Sequence, residues 1–200
     1  NLNVGRLNNL KWSHDGSRLA IATDNLGIRF LNESGDWDGA ISLDTVSMRA
    51  ISYNNAGELA TAGDDGFVGI WNADGTRKTE FKGYDKRVNS VNWNSDGNQL
   101  LTGNWDMSVR IWDANGDVIA TRNGTNPTAW NPRGEELAWT TASDVQFEAP
   151  GSPVRVLRGH KSQITRLVWN SSGSVLASAD VNGEIRVWNR DGSPAGIMQS

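Results

Sequence analysis

The chain has 200 residues, of which 37% are hydrophobic, and it carries ten tryptophans, no cysteine and a formal net charge of −4. This mild negative charge gives no overall attraction to nucleic acid or to an anionic membrane surface, so we expect neither as a partner. The lack of cysteine excludes disulfides and thiol catalysis, and two histidines alone do not indicate a zinc site. We therefore expect no metal ion and no cofactor.

Targeting signals are also missing from the sequence. No apolar run approaches the roughly 18 residues that a membrane-spanning helix needs. The first residues, NLNVGRLNN, lack the basic and apolar regions of a signal peptide. We therefore expect a cytoplasmic or nuclear protein.

Short strand-forming segments follow one another along the chain. Each is rich in β-branched and aromatic residues and is bounded by clusters of Gly, Asn and Asp, which favour tight turns. In the first three units the predicted strands span residues 7–12, 18–23, 27–31, 48–53, 58–62, 67–71, 88–93, 99–103 and 109–112. In the last two units they include 126–130, 164–169, 175–179, 184–188 and about 195–199.

Two aromatic positions repeat along these units with nearly the same step. The aromatic that ends the first strand of each unit recurs as Trp12, Tyr53, Trp93, Trp130 and Trp169. The aromatic that ends the third strand recurs as Phe30, Trp71, Trp112, Phe147 and Trp188. A period near 40 residues with four strands per unit is typical of propeller blades. The sequence therefore predicts an all-β propeller with five four-stranded antiparallel blades.

The predicted blades form a single domain over residues 1–200, with blades at about 1–43, 44–83, 84–123, 124–158 and 159–200. The fourth is expected to be the most irregular, because Pro127 and Pro132 flank its first strand and proline cannot donate to a strand ladder.

Several motifs give the chain a family resemblance. They are Ile111-Trp112-Asp113, the similar Ile70-Trp71-Asn72 and Val187-Trp188-Asn189, and Leu-Arg-Gly-His at 157–160. With these motifs the chain resembles the WD-repeat propellers, the family of the transducin β subunit.

The resemblance implies a hydrogen-bond network within each blade, in which a loop His, a turn Asp and a Ser or Thr lead to the third-strand Trp. The matching residues in the fifth unit are His160, Ser178 and Trp188, but Asn182 stands at the Asp position and Asp180 lies two residues earlier. In the third unit they are Tyr84, Thr102, Asp106 and Trp112, with the phenol in place of the imidazole. In the second unit Asp65 and Trp71 match.

The resemblance also implies a partner-binding surface made by the loops before the first strands and between the second and third strands. The matching positions are Tyr84, Lys86, Arg87, His160, Ser162 and Gln163, together with Asp64, Trp105 and Val181. Trp105 is the strongest candidate, because it lies on neither aromatic ladder and aromatic anchors carry much interface energy. The alternative is that Trp105 covers a neighbouring blade.

Catalysis is not expected, and no catalytic residue is proposed. Five-bladed glycosidases place carboxylates on their innermost strands, because glycoside cleavage needs two of them close together. The five predicted innermost strands, 7–12, 48–53, 88–93, 126–130 and 164–169, contain no Asp or Glu. We therefore favour a scaffold that binds a protein or peptide. The alternatives are a structural, ancestral or engineered blade array without its own partner, and a lectin-like role.

The ends of the sequence bear on ring closure. Many related propellers close when an N-terminal segment supplies the outer strand of the last blade, but here the fifth unit contains its own outer strand. We expect either a five-bladed ring closed by side-chain packing or a piece of a longer propeller. The second alternative is favoured, because propellers of this family usually have seven blades. An open arc would expose an apolar face at each end and should associate with itself.

Overall fold

The computed structural model describes residues 5–44, 46–134 and 136–198. These residues form twenty β-strands, and none of them lies in an α-helix. The described part of the chain accordingly contains no helix with the length and apolarity needed to cross a membrane.

The strands are grouped into five sheets of four consecutive antiparallel strands. The first sheet contains β1 (Leu7–Trp12), β2 (Arg18–Thr23), β3 (Leu26–Asn32) and β4 (Trp37–Asp44). The second contains β5 (Met48–Tyr53), β6 (Leu59–Gly63), β7 (Phe67–Trp71) and β8 (Arg77–Lys82). The third contains β9 (Val88–Trp93), β10 (Gln99–Asn104), β11 (Ser108–Asp113) and β12 (Val118–Asn123).

The fourth sheet contains β13 (Thr125–Trp130), β14 (Leu137–Thr141), β15 (Asp144–Glu148) and β16 (Arg155–Leu157). The fifth contains β17 (Ile164–Trp169), β18 (Val175–Asp180), β19 (Ile185–Asn189) and β20 (Pro194–Met198). The prediction of five four-stranded antiparallel blades is confirmed. Part of the predicted last strand, residue 199, lies outside the described residues.

The hairpin between β9 and β10 shows how the turn residues build each blade. Gly97 has a φ of 69°, a conformation that costs glycine little because it has no Cβ. The Asn94 side-chain oxygen accepts hydrogen bonds from the backbone amides of Asn98 and Gln99, at 3.1 and 3.0 Å. Asn and Gly therefore have separate roles in the turn, one as hydrogen-bond acceptor and one for its backbone freedom.

The first strand of the fourth sheet contains a proline. Pro127 lies inside β13, as the predicted range 126–130 has it, and does not flank the strand. Between the pairs Thr125–Thr140 and Thr128–Trp139, three residue steps on β13 face one step on β14. The corresponding irregularity in the fifth sheet has two steps facing one, between Ile164 and Arg166. A longer bulge accommodates a proline in the strand, since proline has no amide hydrogen to donate to the ladder.

Hydrophobic clusters join consecutive blades. Phe30 and Trp71 belong to the cluster between the first and second sheets, and Trp93 and Trp112 to that between the second and third. Trp139 packs between the third and fourth sheets, and the aromatic side chains of the fourth and fifth meet in another cluster. None of these four clusters contains residues from both the first and the fifth sheet.

Candidate functional site

The turn between β10 and β11 presents two large apolar side chains to solvent. Trp105 is 63% exposed and Met107 is 56% exposed. The Asp106 amide donates to the Asn104 side-chain oxygen at 2.7 Å, and the Met107 carbonyl accepts from the Gly124 amide at 2.9 Å. Met107 has a φ of 68°, which is uncommon for a residue with a side chain. These backbone contacts hold the turn so that it displays Trp105.

Trp105 and Met107 lie at a cavity shared by the third, fourth and fifth blades. The cavity has a volume of about 640 Å³. Its lining residues are Trp105, Met107, Thr125, Asn126, Ala142, Ser143, Lys161, Ser162 and Gln163. The structure thus brings together three of the residues predicted for partner binding, Trp105, Ser162 and Gln163. Met107 was not predicted as a binding residue, although its position two residues after Trp105 in the same turn could have indicated that it lies at the same surface.

An ion-pair chain from the second blade leads to Trp105. The Arg87 guanidinium lies over the Trp105 ring, with its central carbon 5.1 Å from the ring centre. Arg87 also pairs with Asp64 at 2.6 Å, and Asp64 receives hydrogen bonds from Arg49 at 2.7 Å. The hydrogen bond from Arg49 holds the pKa of Asp64 below its ordinary value, and the charge of Arg87 adds to this effect. The charged carboxylate can therefore fix Arg87 against the indole.

Two predicted partner-binding residues are buried. Tyr84 is 3% exposed, and its hydroxyl lies 2.7 Å from the Thr102 hydroxyl. Burial raises the pKa of Tyr84 to about 12. His160 is similarly buried, whereas Lys86 and Val181 are exposed but do not line the cavity.

The buried His160 belongs to a network in the fifth blade. Ser178 Oγ accepts a hydrogen bond from Trp188 Nε1 at 2.9 Å and lies 2.7 Å from His160 Nε2. His160 Nδ1 lies 3.1 Å from Asp180 Oδ2. Asp180 thus occupies the place in the network that the family resemblance gave to position 182. Asn182 instead donates its side-chain amide to Ser162 at 2.6 Å.

Hydrogen bonds hold Asp180 ionised within this network. Burial on its own would raise the pKa of Asp180, but hydrogen bonds from the backbone amides of Asn182 and Glu184 and from His160 lower it overall. A carboxylate with several donors remains charged although it is buried.

The second and third blades have shorter versions of this network. Trp112 Nε1 donates to Thr102 Oγ1 at 2.7 Å, and Trp71 Nε1 donates to Thr61 Oγ1 at 2.9 Å. The predicted turn carboxylates lie elsewhere: Asp106 accepts the Ser108 amide at 2.9 Å and Asp65 accepts the Phe67 amide at 3.1 Å. These two aspartates cap their own turns.

His160, Asp180 and Glu184 offer three possible metal ligands whose donor atoms lie within 4.8 Å of one another. Both ring nitrogens of His160 already have protein partners, Ser178 and Asp180. Arg186 Nε donates to Glu184 at 2.5 Å, which places a cation beside the cluster. This arrangement suits an internal network better than a metal ion, because the guanidinium would repel the ion.

A second cavity, of about 570 Å³, lies among the innermost strands β1, β5, β9, β13 and β17. Its charged lining residues are Lys11, Arg49 and Arg166, and none of the described lining residues is Asp or Glu. The arrangement therefore offers amides, hydroxyls and cations toward the central channel.

Comparison with known proteins agrees with the sheet arrangement and the repeats. The family model described as "WD domain, G-beta repeat" matches residues 75–113 and 151–189. Cell division cycle 20.1, cofactor of APC complex, from Arabidopsis thaliana is 27% identical over 161 residues, covering 74% of this chain and 35% of the relative. WD repeat-containing protein 1 from Gallus gallus is 26% identical over 193 residues, covering 87% of this chain and 32% of the relative.

The family model thus supports the predicted resemblance of the chain to the WD-repeat family. A solved chain titled "Crystal Structure of Mitotic Checkpoint Complex" has the same fold, with a TM-score of 0.86 and 22% identity over 97% of this chain and 67% of that chain. The prediction of an all-β WD-repeat propeller is therefore confirmed. WD-repeat proteins generally act as scaffolds for protein interactions. This chain spans about a third of the length of the two relatives named above.

Proposed function

We propose that this WD-repeat chain is a non-enzymatic scaffold, a single propeller domain over residues 1–200 that binds a protein or peptide segment at its loop face. The binding site in this proposal is the cavity shared by the third, fourth and fifth blades. The observation that carries the proposal is Trp105, a largely exposed indole at the edge of that cavity.

The size and lining of the cavity suit a peptide side chain. A volume of about 640 Å³ lies within the range of roughly 300–1,000 Å³ that is usual for ligand pockets. Trp105, Met107 and Ala142 offer apolar surface, and the hydroxyl and amide groups of Ser143, Ser162 and Gln163 surround it. An apolar anchor residue flanked by backbone hydrogen-bonding groups is the segment that fits this lining best.

The contact with Arg87 favours binding by Trp105 because it limits the movement of the indole before a partner arrives. Arg87 is held by Asp64, and Asp64 is held by Arg49. Restricting a side chain in the free protein reduces the entropy lost on association.

The central channel supports a role without catalysis. Its described lining lacks the pair of carboxylates that glycoside hydrolysis needs, and its charged groups are Lys11, Arg49 and Arg166.

Peptide selection tests the proposal. Peptides are selected from a displayed random library on the immobilised chain, and the Kd of each enriched peptide is measured on the chain and on two variants. Trp105→Ala should raise the Kd by about 30-fold or more, as truncation of an aromatic hot spot does. Trp37→Ala is the matched control, because Trp37 is an exposed tryptophan in β4 and does not line the cavity. Enriched peptides that bind all three proteins with one affinity would contradict the site assignment.

A further inference from the structure

Lys161 is the one charged side chain among the described residues that line the cavity shared by the third, fourth and fifth blades. It is exposed. Among the described residues the lysines that form ion pairs are Lys78 and Lys82, and Lys161 forms none. Arg87, at the edge of the same cavity, differs because its charge is paired with Asp64 at 2.6 Å. The cavity therefore has one unpaired positive charge beside its apolar surface.

The carboxylates closest to the cavity in sequence are engaged in their own loops. Asp106, in the turn between β10 and β11, accepts the Ser108 amide at 2.9 Å. Asp144, at the start of β15, lies 3.6 Å from the guanidinium of Arg158. Neither of them forms an ion pair with Lys161, so the charge of this lysine can be paired by a carboxylate of a bound molecule.

The loop that carries Lys161 is held on both sides of this residue. His160, the residue before it, is buried, and its Nε2 lies 2.7 Å from Ser178 Oγ. Ser162, the residue after it, accepts a hydrogen bond from the Asn182 side-chain amide at 2.6 Å. These contacts fix the backbone around Lys161 in the free protein while its side chain stays exposed. A group that is already positioned loses less entropy when a partner binds.

The cavity is small enough for one peptide segment to contact both Trp105 and Lys161. A sphere with its volume of about 640 Å³ is about 11 Å across. An extended chain advances roughly 3.3 Å per residue, so about three residues cross that distance. Trp105 belongs to the third blade, and Lys161 belongs to the loop that leads into the fifth. An apolar residue at the indole and a charged residue about three positions away can therefore occupy the site together.

We propose that this site selects acidic peptides, in which an apolar anchor packs on Trp105 and an Asp or Glu within about three positions of the anchor pairs with Lys161. The proposal rests on the proposed function, since it names the class of partner for the same site. Complementary charge sets partner choice and the rate of association. A nucleic-acid strand fits less well, because its backbone needs several cations and the described lining offers one.

Peptide selection on charge variants tests the proposal. Peptides are selected from a displayed random library on the wild-type chain, on Lys161→Glu and on Lys86→Glu. Lys86 is the matched control, because it is an exposed lysine of the loop face that forms no ion pair among the described residues and does not line the cavity. Both lysines are exposed, so the variants should fold like the wild-type chain, which circular dichroism and urea unfolding check.

The wild-type and Lys86→Glu selections should both enrich Asp or Glu within about three positions of an apolar residue. The Lys161→Glu selection should enrich Lys or Arg there instead. For an acidic peptide, Lys161→Gln should raise the Kd about 2- to 5-fold, as loss of an exposed ion pair does. Lys161→Glu should raise it about tenfold or more, because like charges then face each other. Both effects should shrink at high salt, since exposed charges are screened.

A charge exchange between the chain and the peptide completes the test. Replacing the acidic residue of a selected peptide by lysine should weaken its binding to the wild-type chain and strengthen its binding to Lys161→Glu. Peptides that lose affinity for Trp105→Ala but bind the wild type and Lys161→Glu equally overturn this proposal without touching the loop-face function. An equal loss of affinity in Lys86→Glu also overturns it. Peptides that bind Trp105→Ala as tightly as the wild type, or a selection that enriches none, overturn both proposals.

Discussion

Ser178 in the fifth blade gives the sharpest prediction for stability. Its hydroxyl accepts from Trp188 Nε1 at 2.9 Å and lies 2.7 Å from His160 Nε2, and the residue is 1% exposed. Ser178→Ala leaves two ring nitrogens buried without this partner. Each unsatisfied buried polar group costs about 1–3 kcal/mol. The free energy of unfolding should therefore fall by about 2–4 kcal/mol.

Urea unfolding followed by tryptophan fluorescence measures this loss. The midpoint should fall while the slope with urea stays unchanged, which identifies a change in stability rather than in the surface exposed on unfolding. Ser172→Ala is the control, because Ser172 lies in an exposed turn, and its effect should be within about 0.5 kcal/mol. In a Trp188→Phe background Ser178→Ala should cost about 1–2 kcal/mol less, since one of the two buried ring nitrogens that lose their partner is no longer present. A Ser178→Ala chain as stable as the Ser172→Ala chain would refute this reasoning.

Three further predictions concern the second and third blades. Thr61→Val should lower the free energy of unfolding by about 1–3 kcal/mol in urea, because Trp71 Nε1 loses its acceptor; no loss would contradict that role. Burial raises the folded-state pKa of Tyr84 from its ordinary value of 10.0 to about 12. The contribution of the neutral phenol to the free energy of unfolding is therefore complete below pH 10 and is lost as the pH rises toward 12. Unfolding midpoints measured across this range should fall less steeply for Tyr84→Phe than for wild type, and parallel curves would count against the assignment. Asp64→Asn should weaken the selected peptides several-fold, though less than Trp105→Ala, since it releases Arg87 from its partner; an unchanged Kd would remove the proposed positioning role.

The architecture could be predicted from the sequence because two kinds of local signal agreed. The aromatic at the end of the first strand repeats in every unit, and turn residues such as Asn94 and Gly97 separate the strands. The third-strand ladder is wrong at Phe30 and Phe147, because these residues pair with Ala20 and Ala138, one register position before the site that Trp112 occupies. Strand ends were less predictable. β10 extends to Asn104 because the pairing of Asn104 with Val88 continues the ladder after a bulge, which local composition does not encode.

The candidate site was predictable in part. Trp105 stood out because it lies on neither aromatic ladder and is placed in a polar turn. The burial of Tyr84 and His160 depends on how the loops pack over the neighbouring strands, which no local pattern reports. The contribution of Asp180 to the network likewise depends on the path of the turn after β18, where its carboxylate also accepts the Asn182 and Glu184 amides.

Which first-strand residues are buried could not be predicted from the sequence pattern alone. Leu10 and Val91 occupy equivalent positions and are equally apolar, yet one is half exposed and the other is buried. The difference arises from which blades meet in three dimensions, because burial of a repeat depends on its neighbours.

The most direct test of the proposed loop-face function is covalent side-chain labelling of the tryptophans, read by mass spectrometry with and without a selected peptide. Trp105 and Trp37 are both exposed in the free chain, so both should be labelled readily. If the peptide binds at the loop face, labelling of Trp105 should fall strongly and labelling of Trp37 should stay constant. Saturating peptide that leaves the labelling of Trp105 unchanged would contradict the proposal that this indole anchors the partner.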